Sequence, residues 1–233
     1  MREVACVGAP RTLLCAEIGD ATAPLVALAA GVHGDEPASA WALLDLCERN
    51  ELESHFAYRL WPCTNPTGLS NGTRENAEGL DINRSFGRGG QTPEARAILT
   101  ANRDRKYAAS FDLHEDCDAA GFYCYEYGEG DLGRAAVEAV RAGGYPIQDL
   151  AACDLGVPFR PLELDDGVVR ASAADEIASL GSLSYSLSII RHAAQRALTL
   201  ETPSRLEWNE RITIHRIAVK AALKALSKQH AYG

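Results

Sequence analysis

Four polar stretches hold residues whose types and spacing could do chemistry. In His33-Gly34-Asp35-Glu36 an imidazole and a carboxylate stand two residues apart. At that spacing both can converge on one metal ion, and Gly34 lets the backbone bend between them. Taken alone, the pattern equally describes an exposed His followed by a Glu favoured at the positive end of a helix. Phe111-Asp112-Leu113-His114-Glu115-Asp116 offers a further imidazole. His114 would complete a two-His, one-carboxylate set that leaves a zinc position open for water. Asp112, Glu115 and Asp116 are alternative carboxylates, so spacing does not fix the ligand set, and a His bonded to Asp116 in a solvated loop fits as well. Leu200-Glu201-Thr202-Pro203 carries Glu201, able to act as a general base towards metal-bound water or, more simply, to pair with a neighbouring Arg. The segment Cys63 to Gln91 holds Arg74 and Arg84, several asparagines and no lysine. Planar guanidinium forks and neutral amides suit carboxylate and oxyanion recognition, unless these arginines pair with Glu75, Glu78 or Asp81 on the same segment.

Such residues act together only if the fold gathers them. Leu25 to Ala30 is a continuous apolar run, as expected of a strand buried on both faces. Pro37 suits the first turn of a helix that continues to Arg49. Further strands are expected at Ala57–Pro62, Ala108–Leu113, Phe122–Tyr127 and Ala197–Leu200. Further helices are expected at Pro93–Lys106, Asp131–Ala142, Ala173–Leu180, Tyr185–Ala194 and Leu206–Leu226. Cys63–Gln91 reads as a long polar loop of functional composition, and Tyr145–Ser172 as irregular with an acidic turn at Asp165-Asp166-Gly167. Alternating strands and helices imply a single α/β domain over 1–233, with a mixed, mostly parallel sheet flanked by helices on both faces. In such sheets ligands gather beyond the carboxyl ends of the strands, where His33, His114 and Glu201 fall.

Composition narrows the partners. With 23 Lys and Arg against 32 Asp and Glu, the net charge of −9 gives no general attraction for nucleic acid or anionic membranes. No apolar stretch approaches the ~18 residues of a membrane span, and the N-terminus lacks a signal-like apolar core. Seven cysteines (6, 15, 47, 63, 117, 124 and 153) are odd in number and irregularly spaced, which fits reduced thiols and a cytoplasmic setting. Cys117 and Cys124 match no usual zinc spacing, and the alternating tyrosines of Phe122–Tyr127 read as sheet-face packing.

Taken in order, HGDEP, NPTG, GTREN, GLDINRSF, DLHED and LETP resemble the zinc carboxypeptidase family, that is, the carboxypeptidase A-like peptidases with the related succinylglutamate desuccinylase/aspartoacylase branch. The resemblance spans His33 to Glu201. It implies one zinc per chain on His33, Glu36 and His114, with Glu201 as catalytic carboxylate and Arg74 polarising the scissile carbonyl. It further implies that Asn83 and Arg84 hold a substrate carboxylate and that Asp81 orients a zinc-bound His. The implied fold is carboxypeptidase-like. The implied substrate is a small peptide with a free carboxylate, or an N-acyl amino acid if the chain is a deacylase. One departure stands out: Leu187 falls where related peptidases carry a mobile tyrosine, with Tyr185 nearby.

Overall fold

The computed structural model describes residues 2–4, 12–87, 89–151 and 161–231; Cys6 and Cys153 lie outside them. The strands are β1 Arg2–Val4, β2 Leu13–Ile18, β3 Leu25–Ala30, β4 Ala57–Trp61, β5 Ala109–Asp116, β6 Tyr123–Tyr127, β7 Glu163–Asp165, β8 Val168–Arg170 and β9 Ala197–Pro203. The helices are α1 Pro37–Glu48, α2 Pro66–Asn71, α3 Pro93–Asn102, α4 Leu132–Ala142, α5 Ala173–Leu180, α6 Tyr185–His192 and α7 Trp208–Ala231, with a single 3-10 turn at Ile82–Arg84.

The strands form one mixed sheet in the order β1-β2-β4-β3-β5-β9-β6-β8-β7. Its centre, β4-β3-β5-β9, is parallel, and antiparallel pairs occupy both flanks. The apolar run of β3 is explained by its position. Val26, Leu28 and Ala30 pack towards α1, α4 and α7, whereas Ala27 and Ala29 pack towards α3 and α6. Helices therefore cover both faces, and a central strand has no side free for polar residues.

Four segments differ from expectation, β1 among them. β2 was not anticipated because Leu14 and Ile18, 39% and 40% exposed, interrupt the inward alternation of Leu13 and Cys15. The polar loop after β4 contains α2, whose N-terminus is capped by Asn65 accepting from the Gly68 amide. The stretch read as irregular holds the β7–β8 hairpin, turned through Asp166-Gly167 with Gly167 at φ +72°, a dipeptide suited to such turns. β5 and β9 also run on to Asp116 and Pro203, because their pairing continues through both termini.

Candidate active site

Register places the chemistry. Along β5, β9 and β6 the paired residues form rows: His114–Glu201–Tyr123, then Asp112–Thr199–Tyr125, then Ser110–Ala197–Tyr127. Since side chains alternate between faces, these rows share one face of the sheet. The first two rows and Tyr127 of the third wall a cavity of about 420 Å³ that opens beyond the carboxyl ends of β3, β5 and β9. Its rim also carries His33, Glu36, Arg74, Asn83 and Arg84. All residues singled out by their chemistry reach this cavity except Asp81, which stands behind His33.

His33 and Glu36 lie on the tight turn after β3. Gly34 is required there, because a Cβ would fall 1.9 Å from the Gly68 carbonyl carbon. Glu36 is the residue preceding α1, yet its side chain does not cap that helix. Instead Oε1 lies 2.5 Å from His33 Nδ1, and Oε2 lies 2.9 Å from His114 Nδ1 and accepts the Glu115 amide at 3.0 Å. Glu115 takes over the capping role from across the sheet: its Oε1 accepts the Ala38 amide at 2.7 Å, and its Oε2 accepts Arg211 of α7 at 2.6 Å. Burial would raise the Glu36 pKa, but His114 and His33 outweigh it and hold the carboxylate well below its usual range.

Both imidazoles are backed by carboxylates on their far side. His114 Nε2 lies 3.1 Å from Asp112 Oδ2, and His33 Nε2 lies 3.4 Å from Asp81 Oδ1. The Nδ1 atoms of His33 and His114 both point at the Glu36 carboxylate, and these ligand atoms lie within 4.8 Å of one another. Without a metal, a proton on Nδ1 meets that carboxylate; with Nε2 protonated towards the carboxylate behind it, Nδ1 can bind a cation in the proton's place. Two imidazoles and one carboxylate are a donor set suited to zinc with an open position. Asp112, one of the alternative ligands by spacing, therefore stands behind His114. Its position two residues before a strand-end His, on the same face, is the signal that would have found it.

Asp81 organises the polar segment. Its Oδ1 accepts the Asn83 amide at 2.8 Å and so caps the 3-10 turn. Its Oδ2 accepts Arg74 Nε at 3.1 Å and Nη2 at 2.9 Å. Arg74 Nη1 lies 3.3 Å from His33 Nδ1 and 3.8 Å from Glu36 Oε1, at the edge of the ligand cluster. Asn65 fixes the Arg74 backbone, donating from Nδ2 to its carbonyl at 3.1 Å. Asn83 is buried: its Oδ1 accepts the Tyr185 amide at 2.9 Å, and its Nδ2 lies 3.5 Å from His114 Nε2. Arg84 is exposed, and among the described residues its guanidinium contacts only the Asn83 carbonyl, at 3.1 Å.

Glu201 faces the cavity beside His114. Burial first, and then Glu36, Asp116 and Asp112, push its pKa up to about 8 against the pull of His114. Tyr185 does not supply the absent tyrosine. It is 1% exposed and packs edge-on against Phe86 with ring centroids 5.7 Å apart. The tyrosines of the cavity are Tyr123, Tyr125 and Tyr127, read from sequence as packing residues. Tyr123 donates to Asp116 Oδ2 and Tyr127 to Glu176 Oε2, each at 2.8 Å.

Three comparisons bear on this arrangement. The model of the succinylglutamate desuccinylase/aspartoacylase catalytic domain matches residues 22–142. Carboxypeptidase SOL1 of Arabidopsis thaliana is 32% identical over 111 residues, a match covering 39% of this chain and only 23% of that protein. Among solved structures, a protein of Shewanella baltica provisionally named a metallopeptidase superposes with TM-score 0.75 at 21% identity, covering 96% of this chain and 84% of that one. The tripeptide-bound cell shape determinant Csd4 of Helicobacter pylori superposes with TM-score 0.64 at 16% identity, covering 92% and 55%. Among the described residues no helix is long and apolar enough to cross a membrane.

Proposed function

Because the chain belongs to the succinylglutamate desuccinylase/aspartoacylase catalytic-domain family, we propose that it is a zinc-dependent hydrolase cleaving an amide bond beside a free carboxylate, acting as a metallocarboxypeptidase. The observation that carries this reading is one cavity that joins the His33–Glu36–His114 donor set, Glu201 and the Arg84 guanidinium, which pairs with no carboxylate among the described residues. His33, Glu36 and His114 would hold one zinc per chain. When bound, that ion supplies Lewis acidity and a water of lowered pKa.

The remaining steps belong to the chain. Glu201 takes the proton from the attacking water and hands it to the leaving amine nitrogen. Arg74, held on two of its donors by Asp81, directs Nη1 at His33 Nδ1, and a metal held on that nitrogen would free Nη1 for a carbonyl oxygen that gains negative charge. Arg84, seated by the 3-10 turn beside Asn83, pairs with the substrate carboxylate and sets the scissile bond at a fixed distance from it. The family's own name favours a second reading, removal of an acyl group from an N-acyl amino acid. That reaction would use the same residues on a substrate with the same carboxylate.

The test is hydrolysis of N-acyl dipeptides and N-acyl amino acids by the zinc-loaded protein, with and without chelator, alongside metal analysis. Glu201→Gln is expected to keep its zinc and lose turnover. Loss of zinc in that variant, or turnover insensitive to chelator, overturns the reading.

A further inference from the structure

A second cavity, of about 760 Å³, lies between the carboxyl-terminal ends of α3 and α6 and shares no lining residue with the first. Both helices lead into central strands, α3 into β5 and α6 into β9, whose far ends carry His114 and Glu201. The volume is in the range of about 300–1,000 Å³ that holds a small organic molecule. Leu99, Leu183 and Ile189 supply an apolar part of its wall.

Cations dominate the rest. Arg103, Arg105, Lys106 and Arg191 line it against a single acid, Asp104, with His192 beside them. That reverses the balance of the whole chain, whose net charge is −9. Backbone pairing brings the two cationic segments together: the Tyr107 amide donates to the Ala193 carbonyl at 2.8 Å, and Lys106 Nζ donates to the His192 carbonyl at 3.2 Å. Arg105 is engaged by Glu17 at 3.1 Å. Arg103 and Arg191 are exposed, and neither reaches a carboxylate among the described residues.

Cations at such helix ends have an ordinary use, since about half a negative charge sits at each carboxyl-terminal end. That use does not exhaust them here. With Arg105 left to Glu17, Arg103, Lys106 and Arg191 still outnumber Asp104 and the two helix ends together. Asn102, in the wall and 6% exposed, adds a neutral donor in excess. Its Oδ1 accepts Arg59 Nη1 at 3.1 Å and the Tyr107 hydroxyl at 2.8 Å, whereas its Nδ2 finds no acceptor among the described residues. The lining is rich in donors and short of acceptors.

We propose that this cavity binds an organic phosphate, its phosphoryl group held by Arg103 and Arg191 and its carbon portion packed on Leu99, Leu183 and Ile189. Each guanidinium fork grips two oxygens. A dianionic group with three terminal oxygens engages two forks at once, whereas a single carboxylate fills one. The site is independent of the hydrolase reading, since none of the residues assigned to that reaction lines it.

Calorimetric titration of the zinc-loaded protein with phenyl phosphate, benzoate and inorganic phosphate, at about 0.15 M salt to screen non-specific attraction, tests this. Phenyl phosphate should bind at least about tenfold more tightly than benzoate, the scale of one further charged hydrogen bond, and more tightly than inorganic phosphate, which has no ring to bury. Arg103→Gln and Arg191→Gln should each weaken phenyl phosphate by about tenfold or more, and Arg84→Ala in the first cavity should leave it unchanged. Binding that Arg84→Ala abolishes and both Gln variants keep puts the phosphate in the first cavity and overturns the proposal. No binding of phenyl phosphate by wild-type protein overturns it, as does benzoate or inorganic phosphate binding equally well, and these wild-type outcomes stand whether or not the variants fold.

Discussion

Asp81→Asn isolates the contribution of one half-buried carboxylate to metal binding. Asp81 has three partners: the Asn83 amide at 2.8 Å, the Arg74 guanidinium at 2.9 and 3.1 Å, and His33 Nε2 at 3.4 Å. Asparagine keeps the size and an oxygen able to cap the 3-10 turn. Its NH2 group, however, must then face either the Arg74 donors or the Nε2 proton of His33, and the negative charge that favours that proton is gone. Losing the group that orients a metal-binding His typically weakens affinity 10- to 100-fold, or about 1.4–2.8 kcal/mol. Folding should suffer far less. The Arg74 side chain is 39% exposed and returns to water when released, so the ion pair itself contributes on the order of 1 kcal/mol or less. Competition of wild type, Asp81→Asn and His33→Ala with a chromophoric chelator for zinc measures the first quantity, and thermal melts of metal-free protein measure the second. If Asp81→Asn holds zinc within about twofold of wild type while His33→Ala loses it, orientation of His33 by Asp81 is refuted.

Two further expectations concern kinetics and pH. Arg84→Ala should raise KM and erase the preference for a free-acid substrate over its amide, because that pairing exists before reaction begins. Arg74→Ala should lower kcat by roughly 10²-fold, the scale of one lost oxyanion donor; steady-state kinetics of both variants on acid and amide check this. Glu201, at about 8 in the metal-free fold against 4.5 ordinarily, binds its proton more tightly folded than unfolded. Its contribution to stability is full below about 4.5 and is lost as pH rises through about 8. Metal-free Glu201→Gln should therefore gain Tm relative to wild type between pH 5 and 9, and parallel Tm curves would refute the burial argument.

The candidate site was legible in sequence because its parts fall at the ends of strands with clear patterns. His33 follows the apolar run of β3, His114 and Glu201 close β5 and β9, and the Asp81-to-Arg84 turn has its own capping signature. The cavity wall was less legible. Tyr123, Tyr125 and Tyr127 alternate as any half-buried strand does, and only pairing with Glu201, Thr199 and Ala197 turns that face towards the site. Glu176 had no local signal at all. It sits on a short helix 25 residues before Glu201 in sequence (201 − 176), and packing of α5 over the sheet brings it there. The partner of Glu115 was hidden for the same reason, since Arg211 lies on the far helix α7.

The Glu115–Arg211 clamp also puts a clock on the making of this protein. The carboxylate of Glu36 rests on the Glu115 amide, and Glu115 ties α1 to α7. Arg211 follows Glu36 by 175 residues (211 − 36). At roughly 5–20 residues per second of synthesis, the ribosome needs about 9 to 35 s to travel between them. Throughout that interval the Glu115 carboxylate that caps α1 lacks its Arg211 partner, so the bond that ties α1 to α7 is among the last to form.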